Sequence, residues 1–231
     1  MNLKTLALLI IPFIMLAQTD FDKAEKLFGD KKYVAAIPYF ENVLATDQNN
    51  EKILERIGDC YGHVKNWDKA LIYYRKLKIQ KPRNADYWYK YGGVLGMKAR
   101  ESNRFVALSM IGDIKKSFEN AVVLNPKHID ARWALVELYL LLPGIVGGSE
   151  TKAARYANEL FQLSPVDGYL ARARISDYFN RLRTSEKHYI MAHQVGNSAM
   201  TYQKLHDFYI KKMKDKSKAD KLQAQFNQNK T

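Results

Sequence analysis

Five histidines, one cysteine and a dense set of carboxylates are the residues of this chain that could do chemistry. The histidines are His63, His128, His188, His193 and His206, and no spacing among them puts two imidazoles on one helical turn. His188 and His193, the best pair, would stand about 140° apart around a helix, so metal ligation is not expected. Cys60, between Asp59 and Tyr61, lacks the neighbours that activate a thiolate, and a lone cysteine defaults to a buried, inert thiol. It also excludes an internal disulfide framework and any zinc site built on several thiolates. Gly147, Gly148 and Ser149 precede Lys152 and Arg155, and backbone N–H groups there could hold an anion. The stretch lacks the GK[ST] ending and the preceding strand of a phosphate-binding loop. It reads better as a tight reversal in which Ser149 caps a helix while Ile145 and Val146 pack inward. No carboxylate pair stands out as an acid/base couple, so neither catalysis nor a cofactor is expected.

The elements that must position these side chains are helical. At 231 residues and 47% hydrophobic the chain is too apolar to be disordered, and 12 Gly and 6 Pro are few for an all-β fold with many turns. Thirty-seven Lys and Arg against 24 Asp and Glu give +13, which favours nonspecific attraction to anionic surfaces. The opening MNLKTLALLIIPFIMLAQTD runs from basic Lys4 through an apolar stretch to polar Gln18, Thr19 and Asp20, the order of a secretory signal peptide. That predicts a leader over 1–17 and export to the periplasm, secretion, or association with the envelope. An uncleaved anchor is the alternative, because Met15 fits poorly where a small residue is expected.

A shift of 34 residues lays Ala24 on Gly58, Leu27 on Tyr61, Tyr33 on Trp67, Ala36 on Ala70, Phe40 on Tyr74 and Val43 on Leu77. Leu54, Gly58 and Tyr61 recur as Trp88, Gly92 and Leu95. The next second helix, with Phe118, Ala121 and Pro126, follows Tyr74, Leu77 and Pro82 by 44, one period plus a ten-residue insertion near 97–107. A fourth unit contains Leu135, Tyr139, Ala153, Ala157 and Leu160, with extra residues in the loop 141–150. Such a period predicts stacked pairs of antiparallel helices, with small residues at the close contacts and large ones filling the seam between repeats. Each repeat needs its neighbours to bury both faces. After 18–196, a basic helix capped by Asn197 or Ser198 is predicted from Ala199 to Gln225 as the stack's end cap, within a 197–231 segment.

KNWDKALIYYRKLKIQKPRN, preceded by Leu54, Ile57, Gly58 and Tyr61, resembles a full tetratricopeptide repeat (TPR), and KKYVAAIPYFENVLATDQNN and KKSFENAVVLNPKH resemble halves of one. The resemblance covers about residues 20–166 and continues into a degenerate fifth unit that keeps Tyr178 but carries Lys187 at the small-residue position. The insertion and DARWALVELYLLLPGIVGGS also resemble exported bacterial repeat proteins. The resemblance implies an all-α, right-handed helix-turn-helix repeat solenoid of four to five repeats and a capping helix.

It further implies a concave groove lined by first helices. By position this would contain Phe21, Glu25 and Phe28, then Glu55, Asp59 and His63, then Asp86, Tyr89 and Lys90. Trp133 and Glu137 follow, and Arg172 in the fifth unit. Glu55 and Asp59 stand where carboxylate-clamping members use Lys and Asn, so that mode is not expected. The expected activity is noncatalytic protein–protein interaction, with a protein or extended peptide as partner, bringing apolar anchors and some positive charge to an aromatic and acidic lining. The alternative reading uses the basic residues instead. Lys65, Lys69, Arg75, Lys76, Lys78, Lys81 and Arg83, with Lys98, Arg100, Arg104, Lys115, Lys116 and Lys127, would tether the chain to an anionic membrane or envelope polymer. Without a stacking pattern or recognition helix, nucleic acid is not an expected partner.

Overall fold

The computed structural model describes residues 19–228, so the expected leader over 1–17 lies outside the described residues. Within them all regular structure is helical and no strand occurs. The chain divides into two compact units, one ending at Leu124 and the other beginning at Asn125. That division falls inside the 18–196 stretch that the period alone reads as one array.

The N-terminal unit is three helix pairs: α1 (19–29) with α2 (Tyr33–Thr46), α3 (Glu51–His63) with α4 (Trp67–Gln80), and α5 (Ala85–Glu101) with α6 (Arg104–Leu124). Asparagines start three of these helices. Asn50, Asn66 and Asn84 accept hydrogen bonds from the N–H groups of Ile53, Lys69, and Asp86 with Tyr87. Each such cap is worth about 1 kcal/mol. Phe40, Leu54, Ile57 and Leu77 are completely enclosed between helices, each contributing about 1.5–3 kcal/mol by burial. The small residues fall where the period puts them. A Cβ on Gly58 would lie 3.0 Å from Cζ of Tyr74, so the first helix seats its glycine under that ring, and Gly92 takes the same place before Phe118. The ten-residue insertion is absorbed as helix: α5 runs to Glu101 and α6 starts at Arg104, with only Ser102 and Asn103 between.

The C-terminal unit begins with α7 (Ile129–Leu141), a 3-10 turn (Gly144–Val146) and α8 (Glu150–Leu163). It continues with α9 (Pro165–Tyr178), α10 (Leu182–Gly196), α11 (Ala199–Asp207), a wide π-helical turn (Phe208–Met213) and α12 (Lys216–Gln228). Ser149 caps α8 as the sequence suggests, and Ser164 closes α8 while capping α9, whose first residue is Pro165. Three expectations are corrected here. Ile145 does not pack inward; it is 97% exposed, pushed out by a turn in which the N–H groups of Val146 and Gly148 both return to the Pro143 carbonyl. The small-residue position of the fifth pair is not Lys187 but Ser185, which is fully buried and hydrogen-bonded to the Ala173 carbonyl. Like Ala70 and Ala153, it is the fourth residue of its helix. The helix predicted from Ala199 to Gln225 breaks at Lys214, whose φ of 54° is left-handed. Its two halves fold on each other as a sixth pair, with Leu205, Phe208, Tyr209, Ala219 and Leu222 forming a core against Leu182, Tyr189 and Ile190 of α10. Ser198 supplies the predicted cap, in a reciprocal capping box with Thr201.

Candidate binding surfaces on the first helices

In the N-terminal unit the acidic positions are occupied by neighbouring cations. Glu25 on α1 receives both Nε and a terminal nitrogen of Arg56 on α3, at 2.7 and 3.2 Å. One helix further along, Lys90 on α5 reaches Glu55 at 2.6 Å and both oxygens of Asp59 at 2.9 and 3.0 Å. The Tyr74 hydroxyl also donates to Asp59. Hydrogen bonding to Glu25 raises the Arg56 pKa, outweighing its partial burial. For Lys90, burial alone would lower the pKa, but the hydrogen bonds to Glu55 and Asp59 more than compensate and hold it above the usual lysine value. Burial, reinforced by Asp59, holds the Tyr74 phenol firmly protonated. The lining expected to be acidic is therefore a ladder of internal ion pairs that ties successive first helices together.

The aromatic positions are partly spent on packing as well. Phe21 and Phe28 meet Phe40 edge-on at 6.5 and 6.4 Å, and Phe28 also carries the Arg56 guanidinium at 4.6 Å. His63 stacks on Tyr33 at 4.0 Å and meets the edge of Phe28. Tyr89 leans on Phe118 at 6.0 Å. A shallow cleft of about 260 Å³ stays open in this unit, and its lining includes His63, Trp67, Tyr74, Tyr89, Lys90 and Met97. Asp86 is exposed in the first turn of α5, outside that lining.

The C-terminal unit repeats the pairing once and then opens. Arg174 on α9 grips Glu137 on α7 through two bonds of 2.7 and 2.8 Å. The Trp133 indole N–H donates to Asp167 at 2.8 Å, which fixes the ring against the first turn of α9. α11 brings Met200 and Lys204 across from them. With Leu170 and Tyr189 these residues enclose a cleft of about 390 Å³. Burial pushes the Tyr189 phenol up to about 12, with Asp177 adding to the shift. Arg172, expected in this lining, instead turns toward α8, over the ring of Phe161 and onto Asn158.

Arg56, Asp167, Leu170, Arg174, Tyr189, Met200 and Lys204 were not singled out by sequence reasoning. A signal for several of them exists: Glu25 with Arg56, Asp59 with Lys90, Trp133 with Asp167 and Glu137 with Arg174 are all complementary pairs 31 to 37 residues apart, about one period.

The remaining reactive groups are quiet. Cys60 is fully buried, and burial pushes its thiol up to about 12. The loop before α8 has its N–H groups committed, Gly147 to the Gly144 carbonyl, Gly148 to Pro143 and Ser149 to Tyr139, so they do not converge on an anion. No group of three metal-capable side chains occurs among the described residues. Several expected surface lysines are engaged too. Lys78 lies 3.7 Å over Tyr91, Lys81 pairs with Glu51, and Lys211, Lys212, Lys216 and Lys218 each pair with a carboxylate.

A tetratricopeptide-repeat family model matches residues 27–91, so the chain carries a TPR repeat. No curated protein is significantly similar to it in sequence. Among solved structures, a tetratricopeptide repeat protein from Parabacteroides merdae superposes with a TM-score of 0.63 at 14% identity, over 90% of this chain and 77% of that one. TTC0263, a thermophilic TPR protein of Thermus thermophilus, gives 0.62 at 16% identity, over 80% of this chain and 93% of the other. YrrB, described as a TPR protein with an unusual peptide-binding site, gives 0.53 at 16% identity, covering 79% of this chain and 87% of its own. The fold is that of TPR solenoid proteins.

Proposed function

We propose that this chain is a noncatalytic protein-binding module, exported to the periplasm or envelope, which seats an extended segment of a partner protein against its first helices. The C-terminal cleft is the main observation behind this reading. Its indole is preoriented by Asp167, its apolar wall is Leu170 and Met200, and Lys204 is its one cation without a charged partner among the described residues. A partner entering it brings one bulky apolar side chain to Trp133 and a carboxylate to Lys204. The positive partner expected from sequence fits less well, because Arg56, Lys90 and Arg174 already neutralise the acids. Rigid helices hold these groups in place before binding, so the partner segment supplies most of the ordering cost. TPR-fold neighbours, one of them described with a peptide-binding site, favour a binding role over catalysis. The order of residues 1–20 supports export.

Affinity capture with the chain from native envelope extract at two salt concentrations, with mass spectrometry, identifies the partner. Trp133→Ala then weakens binding at least about tenfold, about 1.4 kcal/mol, with helicity unchanged. If Tyr89→Ala weakens capture while Trp133→Ala does not, the site belongs to the N-terminal unit. Indifference to both substitutions rules out the first-helix surfaces.

A further inference from the structure

The turns that join first to second helices in the N-terminal unit, over 30–32, 64–66 and 102–103, lie side by side along one edge. Phe28 and Tyr33 bracket the first turn, and both rings meet His63, the last residue before the second. The second turn is tied to the third by the Trp67 indole, which donates to Glu101 at 2.6 Å, and by Asp68, which pairs with Lys98. The strip carries Lys31, Lys32, Lys65, Lys98, Arg100 and Arg104 against Asp30, Asp68 and Glu101. Asp30 lies 3.7 Å from Lys32, so all three acids are engaged. Lys31, Lys65, Arg100 and Arg104 are exposed and have no acidic partner among the described residues. Lys31 and Lys65 stand in left-handed backbone, φ 61° and 59°, a conformation glycine adopts freely and lysine only at a cost. A lysine at both turn tips therefore runs against local backbone preference.

Apolar side chains project from the same strip. Val34 is 70% exposed and Phe105 is 84% exposed, with Val64, Val106 and Leu108 also open to solvent. α5 and α6 have 17 and 21 residues where α3 and α4 have 13 and 14. The tip holding Phe105 thus extends past the neighbouring turn by roughly one helical turn, about 6 Å.

We propose that this edge docks on an anionic phospholipid surface, with Phe105 entering among the head groups while Lys31, Lys65, Arg100 and Arg104 meet lipid phosphates. The apolar residues are spread over three tips, with Val34 on the first, Val64 on the second and Phe105, Val106 and Leu108 together on the third. A fluid layer admits each one independently, whereas a protein partner would need matching relief. Stable attachment takes two signals, such as apolar insertion and a basic patch, and both are present here. A single exposed aromatic ring provides no stacking platform for nucleic acid. This attachment is independent of the cleft near Trp133.

The test is co-sedimentation of the full chain with phosphatidylcholine vesicles, with and without phosphatidylglycerol. Any pull of the apolar residues 5–17 acts on both vesicles, so the difference between them is the readout. The anionic vesicles should bind about tenfold or more tightly, and less so as salt is added. Lys31→Glu with Lys65→Glu and Arg104→Glu should remove that difference, and Phe105→Ser should lower anionic binding several-fold, with helicity unchanged by circular dichroism. Arg183→Glu with Lys187→Glu and Lys214→Glu makes the same charge change in the C-terminal unit and should leave the difference standing. Equal binding to both vesicles overturns the proposal, as does an equal loss from the C-terminal reversal. Capture of a soluble acidic protein through this edge, with vesicles ignored, also overturns it.

Discussion

Equivalent first-helix positions serve different ends in the two units. In the N-terminal unit Glu25, Glu55 and Asp59 are each met by a cation from the next first helix, and the ladder closes the surface it lines. In the C-terminal unit Glu137 is closed by Arg174 in the same way, but Asp167 takes an indole, and Lys204 on α11, across a cleft, has no acidic partner among the described residues. A carboxylate at such a position is structural when the following repeat supplies its cation. It becomes a candidate for recognition where the repeat pattern ends and another element faces the gap.

The largest expected effect concerns how closely helices approach in each unit. A Cβ on Gly168 would fall 2.4 Å from Cα and Cβ of Phe161, so α8 and α9 must separate to admit it. Gly58 meets only the Tyr74 ring, which can shift by a few tenths of an ångström. Gly168→Ala should cost about 3 kcal/mol and Gly58→Ala about 1 kcal/mol, by chemical denaturation. Equal costs would mean that the two contacts are packed with the same tolerance.

Next in size is the ladder itself. Lys90→Met removes the ammonium that Glu55 and Asp59, both part-buried, share as their direct ion-pair partner, and should cost about 2 kcal/mol of stability. Lys204→Met removes an exposed ammonium that has no acidic partner among the described residues and should change stability by less than about 0.5 kcal/mol. Partner affinity should show the reverse order. Should Lys204→Met destabilise as much as Lys90→Met, the contrast between a closed ladder and an open cleft fails.

The repeat architecture was readable because close packing imposes it on composition. Gly58, Ala70 and Tyr74 can be found by a fixed shift, since those contacts call for a small residue at the first two places and a large ring at the third. Ser185 was missed for an instructive reason. Its buried hydroxyl is satisfied by the Ala173 carbonyl, so a polar residue fills a small-residue slot, and counting from Tyr178 landed on exposed Lys187 instead. The break at Lys214 carries no glycine or proline to announce it. Helical spacing across Leu205, Phe208, Tyr209 and Met213 suits a wide π-helical turn nearly as well as a continuous helix. The ion pairing of Glu25, Glu55, Asp59 and Glu137 does not show when each acid is taken alone, because its cation lies about one period further along the chain. Read one period apart, Glu25 with Arg56 and Glu137 with Arg174 already declare the ladder. The cleft was not legible, because it depends on where α11 folds, and that follows from tertiary contacts with α10.

The smallest expected effect is a pH dependence located in the C-terminal unit. His188 and His193, both on α10, are held below the ordinary histidine value of 6.5, mainly by burial, with Arg172 and Lys187 adding to the effect at His188. His193 Nδ1 also lies 3.2 Å from the Thr201 hydroxyl, against the rings of Tyr202 and Phe226. A histidine whose folded pKa is depressed binds its proton more readily in the unfolded chain. As pH falls through about 6.5 the unfolded state gains protons first, so stability is full above that value and declines below it. Both rings keep partial contact with solvent, so the midpoint of thermal unfolding should fall by only about 2 °C between neutral and mildly acidic buffer. Amide exchange should accelerate in α10 and α11 before it does in α3. His193→Gln should flatten the dependence, and a pH response that survives His188→Gln and His193→Gln together would overturn its assignment to α10.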